Sequence, residues 1–315
     1  MEIDFDRIID RKGTSCIKWD DLKTKFGRED LLPFWVADMD FPVPECIAKA
    51  LVQRSHHPVF GYTFRSDTYY QSICSWYETR HNWQISRDWI LNTPGVVPAL
   101  SLAVKAFTEK GDKILVQPPV YDPFFAVIRS NERSLTVSPL ILQDNRYQMD
   151  FADLEHKFRQ GVRLMLFCSP HNPVGRVWQK AELEQLLALC REYGVRLISD
   201  EIHSDLVFRP CRHLPVAEIA GNYVDWIILN APSKSFNIAG LCTGYAIIPD
   251  PELRRTYEKE LEKSGLIIGN IFGIEALTAA YEEGQEWLER LLLYLQDNYR
   301  YIVDFLSREI PRIVP

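Results

Sequence analysis

The sequence predicts an α/β fold in which helices cover both faces of a largely parallel sheet. Six short apolar runs recur along the chain, namely WILN (89–92), KILV (113–116), LMLFCS (164–169), VRLIS (195–199), WIILN (226–230) and YAIIP (245–249). Most of the segments between these runs have helical periodicity. Alternating strands and helices favour a parallel sheet, and ligands of such sheets bind beyond the carboxyl ends of the strands.

Composition narrows the class of protein. The chain has 315 residues, of which 46% are hydrophobic, enough for a large core in one or two domains. Its formal net charge is -7 and its basic residues are dispersed, which argues against nucleic-acid binding. The longest apolar runs are too short to span a membrane, and the charged start MEIDFDRIIDRKG does not resemble a signal peptide. We therefore expect a cytoplasmic protein.

The seven cysteines do not have the number or spacing of a disulfide framework or a zinc site. Their number is odd, no CxxC motif occurs, and no pair of histidines has the spacing of metal ligands. We expect buried thiols in a reducing compartment and no metal site.

The remaining elements follow in chain order. Prolines and paired aspartates make the first 44 residues loop-rich, so we expect an arm outside the core. Amphipathic helices are predicted at 45–56 and 67–79, joined by the turn VFGYTF that carries Tyr62, and a long helix at about 285–308. An aromatic residue in such a turn usually packs against its own helices.

Four strand ends carry side chains suited to a ligand. WILN leads into a glycine turn at Gly95 that opens a helix, and the free N–H groups of a helix start suit a phosphate. KILV leads to Tyr121, whose ring can stack on a planar group. LMLFCS leads to Asn172 in a proline-rich turn, and VRLIS leads to Asp200, with His203 three residues beyond.

The segment APSKSFNIAGL (231–241) follows WIILN and places Lys234 between two hydroxyl groups. A lysine amine forms covalent links with carbonyl compounds, including pyridoxal 5'-phosphate (PLP). Ser233 and Ser235 are candidates for holding a phosphate, and Gly240 permits a tight backbone.

Each of these residues has a simpler interpretation by itself. Asp200 suits a helix cap, Asn172 suits a turn, and a lysine in a polar turn is usually a solvated charge. Because they occur together at one edge of the sheet, a catalytic role is favoured over these simpler interpretations. PLP requires a carboxylate that keeps its pyridine nitrogen protonated, an amide at its ring oxygen and a lysine for the covalent link.

The motifs themselves resemble a known family. SPHNPVG, SDEIH and SKSFNIAGL are similar to the signatures of fold type I, aspartate-aminotransferase-like PLP enzymes, in the same order. DRKGTSCIKWD, LLPFWVADMDF and FGYTF resemble more narrowly the MalY/PatB type of cystathionine β-lyases, also called C–S β-lyases. The resemblance extends from the first residues to the end of the chain.

This resemblance implies a PLP-binding large domain of fold type I with a mostly parallel sheet, and a small α/β domain. It implies roles for named residues: Lys234 as the covalent anchor, Asp200 at the pyridine nitrogen, Asn172 at the ring hydroxyl, Tyr121 on the ring, and Gly95, Val96, Val97 and Ser233 at the phosphate. We include His203 with the cofactor-binding residues. Tyr62 would reach the active site of a second subunit, which implies a homodimer.

Two departures from the family pattern stand out. Many fold type I enzymes have a phosphate-binding arginine where this chain has Cys242, although the lyase subgroup commonly lacks it too. Family members also continue beyond the long helix, in a segment that supplies an arginine for the substrate carboxylate. We therefore expect an N-terminal arm with part of the small domain (1–44), a PLP-binding domain (45–284), and the interdomain helix with an incomplete small domain (285–315).

The expected activity is cleavage of cystathionine or a cysteine S-conjugate to a thiol, pyruvate and ammonia, as in methionine biosynthesis. One alternative is a PLP-dependent aminotransferase, which shares every step up to the carbanion and which no single residue of this sequence distinguishes. The other is a truncated, poorly active or regulatory homologue, since the segment that supplies the carboxylate-binding arginine is missing.

Overall fold

The structure is a computed structural model that describes residues 3–313. Its helices are α1 (Ile17–Asp20), α2 (Leu22–Phe26), α3 (Glu45–Ser55), α4 (Asp67–His81), α5 (Val96–Phe107), α6 (Pro123–Ser130), α7 (Phe151–Arg159), α8 (Lys180–Tyr193), α9 (Val216–Ala220), α10 (Pro251–Lys263), α11 (Ile271–Glu283) and α12 (Gln285–Glu309). Its strands are β1 (Ile90–Thr93), β2 (Lys113–Val116), β3 (Ser134–Val137), β4 (Ile141–Gln143), β5 (Arg146–Gln148), β6 (Val162–Cys168), β7 (Arg196–Asp200), β8 (Trp226–Asn230) and β9 (Gly244–Ile247).

Seven strands form one mixed sheet in the order β1-β9-β8-β7-β6-β2-β3. Strands β8, β7, β6, β2 and β3 are parallel to one another, and β9 runs antiparallel to both β1 and β8. The predicted α/β fold with a mostly parallel sheet is confirmed, and all six predicted strands are present. Strand β3 and the β4–β5 hairpin were not predicted, because these strands are short, polar and largely exposed.

Two apolar layers sandwich the sheet. Ile114 and Val116 of β2 pack into a layer with α5, α6 and α10, whereas Leu115 between them packs into the opposite layer with α3, α4, α8 and α11. Successive side chains of a strand point to opposite faces, so a strand covered on both sides reads as a continuous apolar run. This double coverage leaves the ends of the strands as the accessible part of the sheet.

The predicted helices are present with small changes at their ends. Helix α3 ends at Ser55, and α4 continues to His81, where Asn82 caps it in a left-handed conformation with φ 54°. The first 44 residues are mostly loop, as expected. Phe5, however, is buried between Phe41 and Trp287, so the expectation that this segment lies outside the core was wrong for that residue.

Within residues 3–313, no helix combines the length and the apolar character that crossing a membrane requires. The same part of the chain contains no group of three or more His, Cys, Asp or Glu side chains arranged to hold a metal ion. All seven cysteines are free thiols.

Candidate active site at the carboxyl edge of the sheet

Asp200 is the last residue of β7 and lies opposite Cys168, the last residue of β6. Its side chain is buried, and Oδ1 accepts a hydrogen bond from the backbone N–H of Ile202 at 3.1 Å. Burial raises the pKa of Asp200 to about 7, with a smaller contribution in the same direction from Glu201 and against the opposing effects of the Ile202 hydrogen bond and the charge of Lys234. A buried carboxylate with so few donors is suited to a cationic partner.

Lys234 lies in the turn after β8 and is partly buried. Its Nζ donates to the backbone carbonyl of Ala37 at 3.2 Å. Burial lowers the pKa of this amine, whereas the charges of Asp38 and Asp200 act in the opposite direction. Lys234 and Asp200 are therefore close enough to interact electrostatically, as the sequence analysis expected of an amine and a carboxylate at one sheet edge.

His203 belongs to the same group of residues. Burial lowers its pKa to about 4, and the positive charge of Lys234 adds to this shift. The imidazole is consequently neutral at physiological pH, and it can donate or accept a hydrogen bond at the edge of the site.

Tyr121 and Asn172 lie in neighbouring turns. Burial raises the pKa of Tyr121, and the negative charge of Asp200 acts in the same direction to a smaller extent. The tyrosine is nevertheless 42% exposed. The backbone N–H of Asn172 donates to Cys168 Sγ at 3.4 Å, which holds it beside the end of β6. His171 Nε2 donates to the carbonyl of Pro119 at 3.0 Å and so joins the two turns. The structure thus places both residues around Asp200.

Gly95 forms the turn between β1 and α5 with φ 146°, a conformation that favours glycine. A Cβ atom added to Gly244 would lie 3.1 Å from Gly95 Cα and 3.2 Å from Ala231 Cβ, so Gly244, at the start of β9, packs closely between this turn and the end of β8. Val96 is buried and Val97 is partly exposed at the start of α5. The N-terminus of α5 therefore lies near the beginning of the segment 231–241, which carries Ser233 and Lys234.

The hydroxyl of Ser235 does not face this site. Ser235 is buried, and its Oγ donates to Asp205 Oδ2 at 2.9 Å, so its predicted role at a phosphate was wrong. Gly240 is exposed and has no positive φ. The tight backbone of the segment is formed by Asn237 with φ 57° and Cys242 with φ 46°, and not by Gly240.

The segment that carries Lys234 also contacts residues 36–41, which was not predicted from the sequence. Asn237 Oδ1 accepts from the N–H of Met39 at 3.0 Å, and its Nδ2 donates to the carbonyls of Met39 and Phe41, both at 2.9 Å. Arg11 pairs with Asp38 at 2.5 Å and with Asp40 at 2.7 Å. About 200 residues separate Asn237 from these partners, and no local pattern in either segment indicates the pairing.

Tyr62 is more exposed than the other residues predicted at the active site. Its side chain is 95% exposed in the loop before α4, next to Phe64, which is 82% exposed. Within a single chain, this loop does not bring Tyr62 into the group formed by Asp200, Lys234 and Tyr121.

A parallel-rich sheet with a partly buried lysine and a buried carboxylate at its carboxyl edge defines an α/β protein of the aminotransferase type. The model for the aminotransferase class I and II family matches residues 29–314. The chain belongs to this family.

Three known proteins illustrate its relationships. The chain is 44% identical to cystathionine beta-lyase PatB of Bacillus subtilis over 99% of its own length and 81% of PatB. The crystal structure of cystalysin from Treponema denticola, which contains PLP, superposes with a TM-score of 0.95 at 35% identity, covering 99% of this chain and 80% of cystalysin. The PLP-bound C–S lyase of Staphylococcus hominis superposes with a TM-score of 0.93 at 35% identity, covering 99% and 78%.

Proposed function

We propose that this chain binds PLP and that Lys234 carries the covalent link. The residues fit the cofactor, because a partly buried amine with a lowered pKa stands near a buried carboxylate that forms no ion pair with a side chain of residues 3–313. Protonated pyridine is the cation that such a carboxylate favours. The related cystalysin and Staphylococcus hominis structures, both of which contain PLP, support the proposal.

The other predicted residues complete the binding site in this proposal. Asn172 donates to the ring oxygen and Tyr121 covers the ring, since both lie around Asp200. His203 supports the same region as a neutral imidazole. Backbone N–H groups at Gly95, Val96 and Val97, together with Ser233, hold the phosphate at the N-terminus of α5.

The proposed activity is cleavage of the C–S bond of cystathionine or a cysteine S-conjugate to a thiol, pyruvate and ammonia. Bound PLP supplies an electron sink for the charge that develops at the substrate Cα. Lys234 removes the Cα proton, which requires the neutral amine that its lowered pKa favours. The ionised Asp200 holds the positive charge on the pyridine nitrogen, which keeps the sink effective.

The observation that carries the lyase assignment is the 44% identity with a cystathionine beta-lyase over nearly the whole chain. An aminotransferase shares the residues described above, so the products must distinguish the two activities. The purified chain is incubated with cystathionine and with a cysteine S-conjugate, and thiol and keto acid are measured together. Equal amounts of thiol and pyruvate are expected without any added keto acid. Keto-acid formation that requires a second keto acid and releases no thiol would assign the chain as an aminotransferase.

We further propose a homodimer in which Tyr62 enters the active site of the second subunit. Its side chain is 95% exposed and Phe64 beside it is 82% exposed, and apolar surface of this kind is typical of an interface. Free cysteines fit the cytoplasm as the location of the enzyme.

A further inference from the structure

Asp205 is a buried carboxylate behind the proposed active site. Only 2% of it is exposed, and its two oxygens accept hydrogen bonds from Ser235 Oγ at 2.9 Å, His81 Nε2 at 3.0 Å and Trp76 Nε1 at 3.2 Å. Burial acts to raise the pKa of Asp205, but the hydrogen bond and charge of His81 and the charge of Arg80 outweigh it and lower the pKa. The carboxylate is therefore ionised, and both of its oxygens accept hydrogen bonds.

Ser235 connects this carboxylate to the proposed covalent anchor. It follows Lys234 directly and is buried, whereas the Lys234 side chain extends toward Ala37. The hydrogen bond to Asp205 thus holds the backbone next to Lys234, while the amine itself bonds to a different segment. A buried, charge-assisted hydrogen bond restricts the backbone more strongly than one between neutral groups.

The same contact joins two strand ends. Strand β7 ends at Asp200, and Asp205 lies in the loop that follows it. Ser235 lies in the turn after β8. Asn230, the last residue of β8, adds a second connection, because its Nδ2 donates to Ser204 Oγ at 3.1 Å and to Tyr77 OH at 2.9 Å. The separation of Lys234 from Asp200 is therefore set by a polar network and not by the sheet alone.

A matching arrangement holds Asp200. Glu201, the next residue, is fully buried and accepts from His213 Nε2 at 2.9 Å, from Ser199 Oγ at 3.0 Å and from the N–H of Val216 at 3.1 Å. The rings of His81 and His213 meet with their centroids 5.7 Å apart. The residues that follow Asp200 and Lys234 are thus anchored in adjoining parts of one buried network.

We propose that Asp205 is a positioning residue, which acts through Ser235 to hold the Lys234 amine where it attaches to the cofactor. The inference rests on the proposed function of Lys234. It assigns Asp205 and Ser235 to the support of the site, although neither touches the cofactor or the substrate.

The rate of covalent PLP attachment to the cofactor-free 315-residue chain tests this inference. Attachment is followed by absorbance, and its site is confirmed by borohydride trapping and peptide mapping. Asp205→Asn and Ser235→Ala should each slow attachment about tenfold, because each removes or misdirects a hydrogen bond to a charged group. The double variant should be little slower than either single variant, since both changes break the same contact.

Asp225→Asn is the matched control. Asp225 pairs with Arg196 at the amino-terminal ends of β7 and β8, far along these strands from Asp200 and Lys234. Its loss should lower the unfolding temperature without slowing attachment. If Asp205→Asn does not fold, Ser235→Ala, which removes only a hydroxyl, decides the question. Attachment to folded Ser235→Ala at the wild-type rate would overturn the inference, as would equal slowing in Asp225→Asn. Failure of the wild-type chain to attach PLP at Lys234 would instead refute the proposed function.

Discussion

Lys234 Nζ and the carbonyl oxygen of Ala37 are joined by a hydrogen bond of 3.2 Å. The contact connects the turn after β8 to a segment almost 200 residues earlier, and Asn237 reinforces it through Met39 and Phe41. The proposed covalent anchor thus lies between the sheet edge and the N-terminal segment. Its surroundings depend on both.

Lys234→Ala should abolish covalent attachment of PLP, because Lys234 supplies the amine whose charge acts on Asp200. The measurement is borohydride reduction after incubation with PLP, followed by peptide mapping. Lys105→Ala, which removes an exposed lysine from α5, serves as the control and should label normally. A pyridoxyl group on a different lysine of the wild-type chain would show that the anchor is misassigned.

Asp200→Asn should change the pH dependence of stability in the cofactor-free chain. The folded-state pKa of about 7 lies above the ordinary aspartate value of 3.8, so between these values the folded chain keeps a proton that the unfolded chain releases. The contribution of this carboxyl to the free energy of unfolding is fully present below about pH 4 and is lost as the pH rises toward 7. As the pH rises from 5 to 8, the free energy of unfolding of the variant should therefore increase by about 2 to 3 kcal/mol relative to that of wild type.

Urea unfolding at several pH values measures this difference. A constant difference across the range would mean that Asp200 titrates normally in the folded chain. Asp122→Asn, at a neighbouring exposed carboxylate, is the control and should show no comparable trend.

Asn237→Gly should loosen the N-terminal segment without straining the backbone, since glycine readily adopts the φ of 57° found there. The loss of three hydrogen bonds should cost about 1 to 3 kcal/mol and increase amide exchange in residues 37–41. Asn82→Gly is the matched control, because Asn82 has a similar φ of 54° at the end of α4 but lies far from this segment. Equal effects in both variants would assign the role of Asn237 to its backbone conformation alone.

Mixed dimers should show whether Tyr62 acts in the second subunit. If it does, a dimer of one Lys234→Ala chain and one Tyr62→Ala chain contains one intact site, and its thiol release should reach about half that of wild type. If Tyr62 acts within its own chain, neither site is intact and no activity returns. Both homodimeric variants serve as controls for the measurement.

The sequence by itself determined the order of strands and helices and the residues at the strand ends. Its apolar runs are continuous because β2, β6, β7 and β8 are covered on both faces, and this pattern is local and therefore readable. The predicted Asp200 and Lys234 come together because β7 and β8 are parallel neighbours, so their carboxyl ends meet at one edge. Only the polar, exposed edge strand β3 and the β4–β5 hairpin lacked such a signal.

Only the tertiary structure decided which side chains support that edge. Ser235 was expected near a phosphate, yet it lies beside Asp205, because successive residues of a tight turn point in different directions. The pairing of Asn237 with residues 39 and 41, and of Asp205 with His81, joins segments far apart in the chain. Such hydrogen bonds depend on distance in space and not on local periodicity, and for this reason the sequence pattern did not contain them.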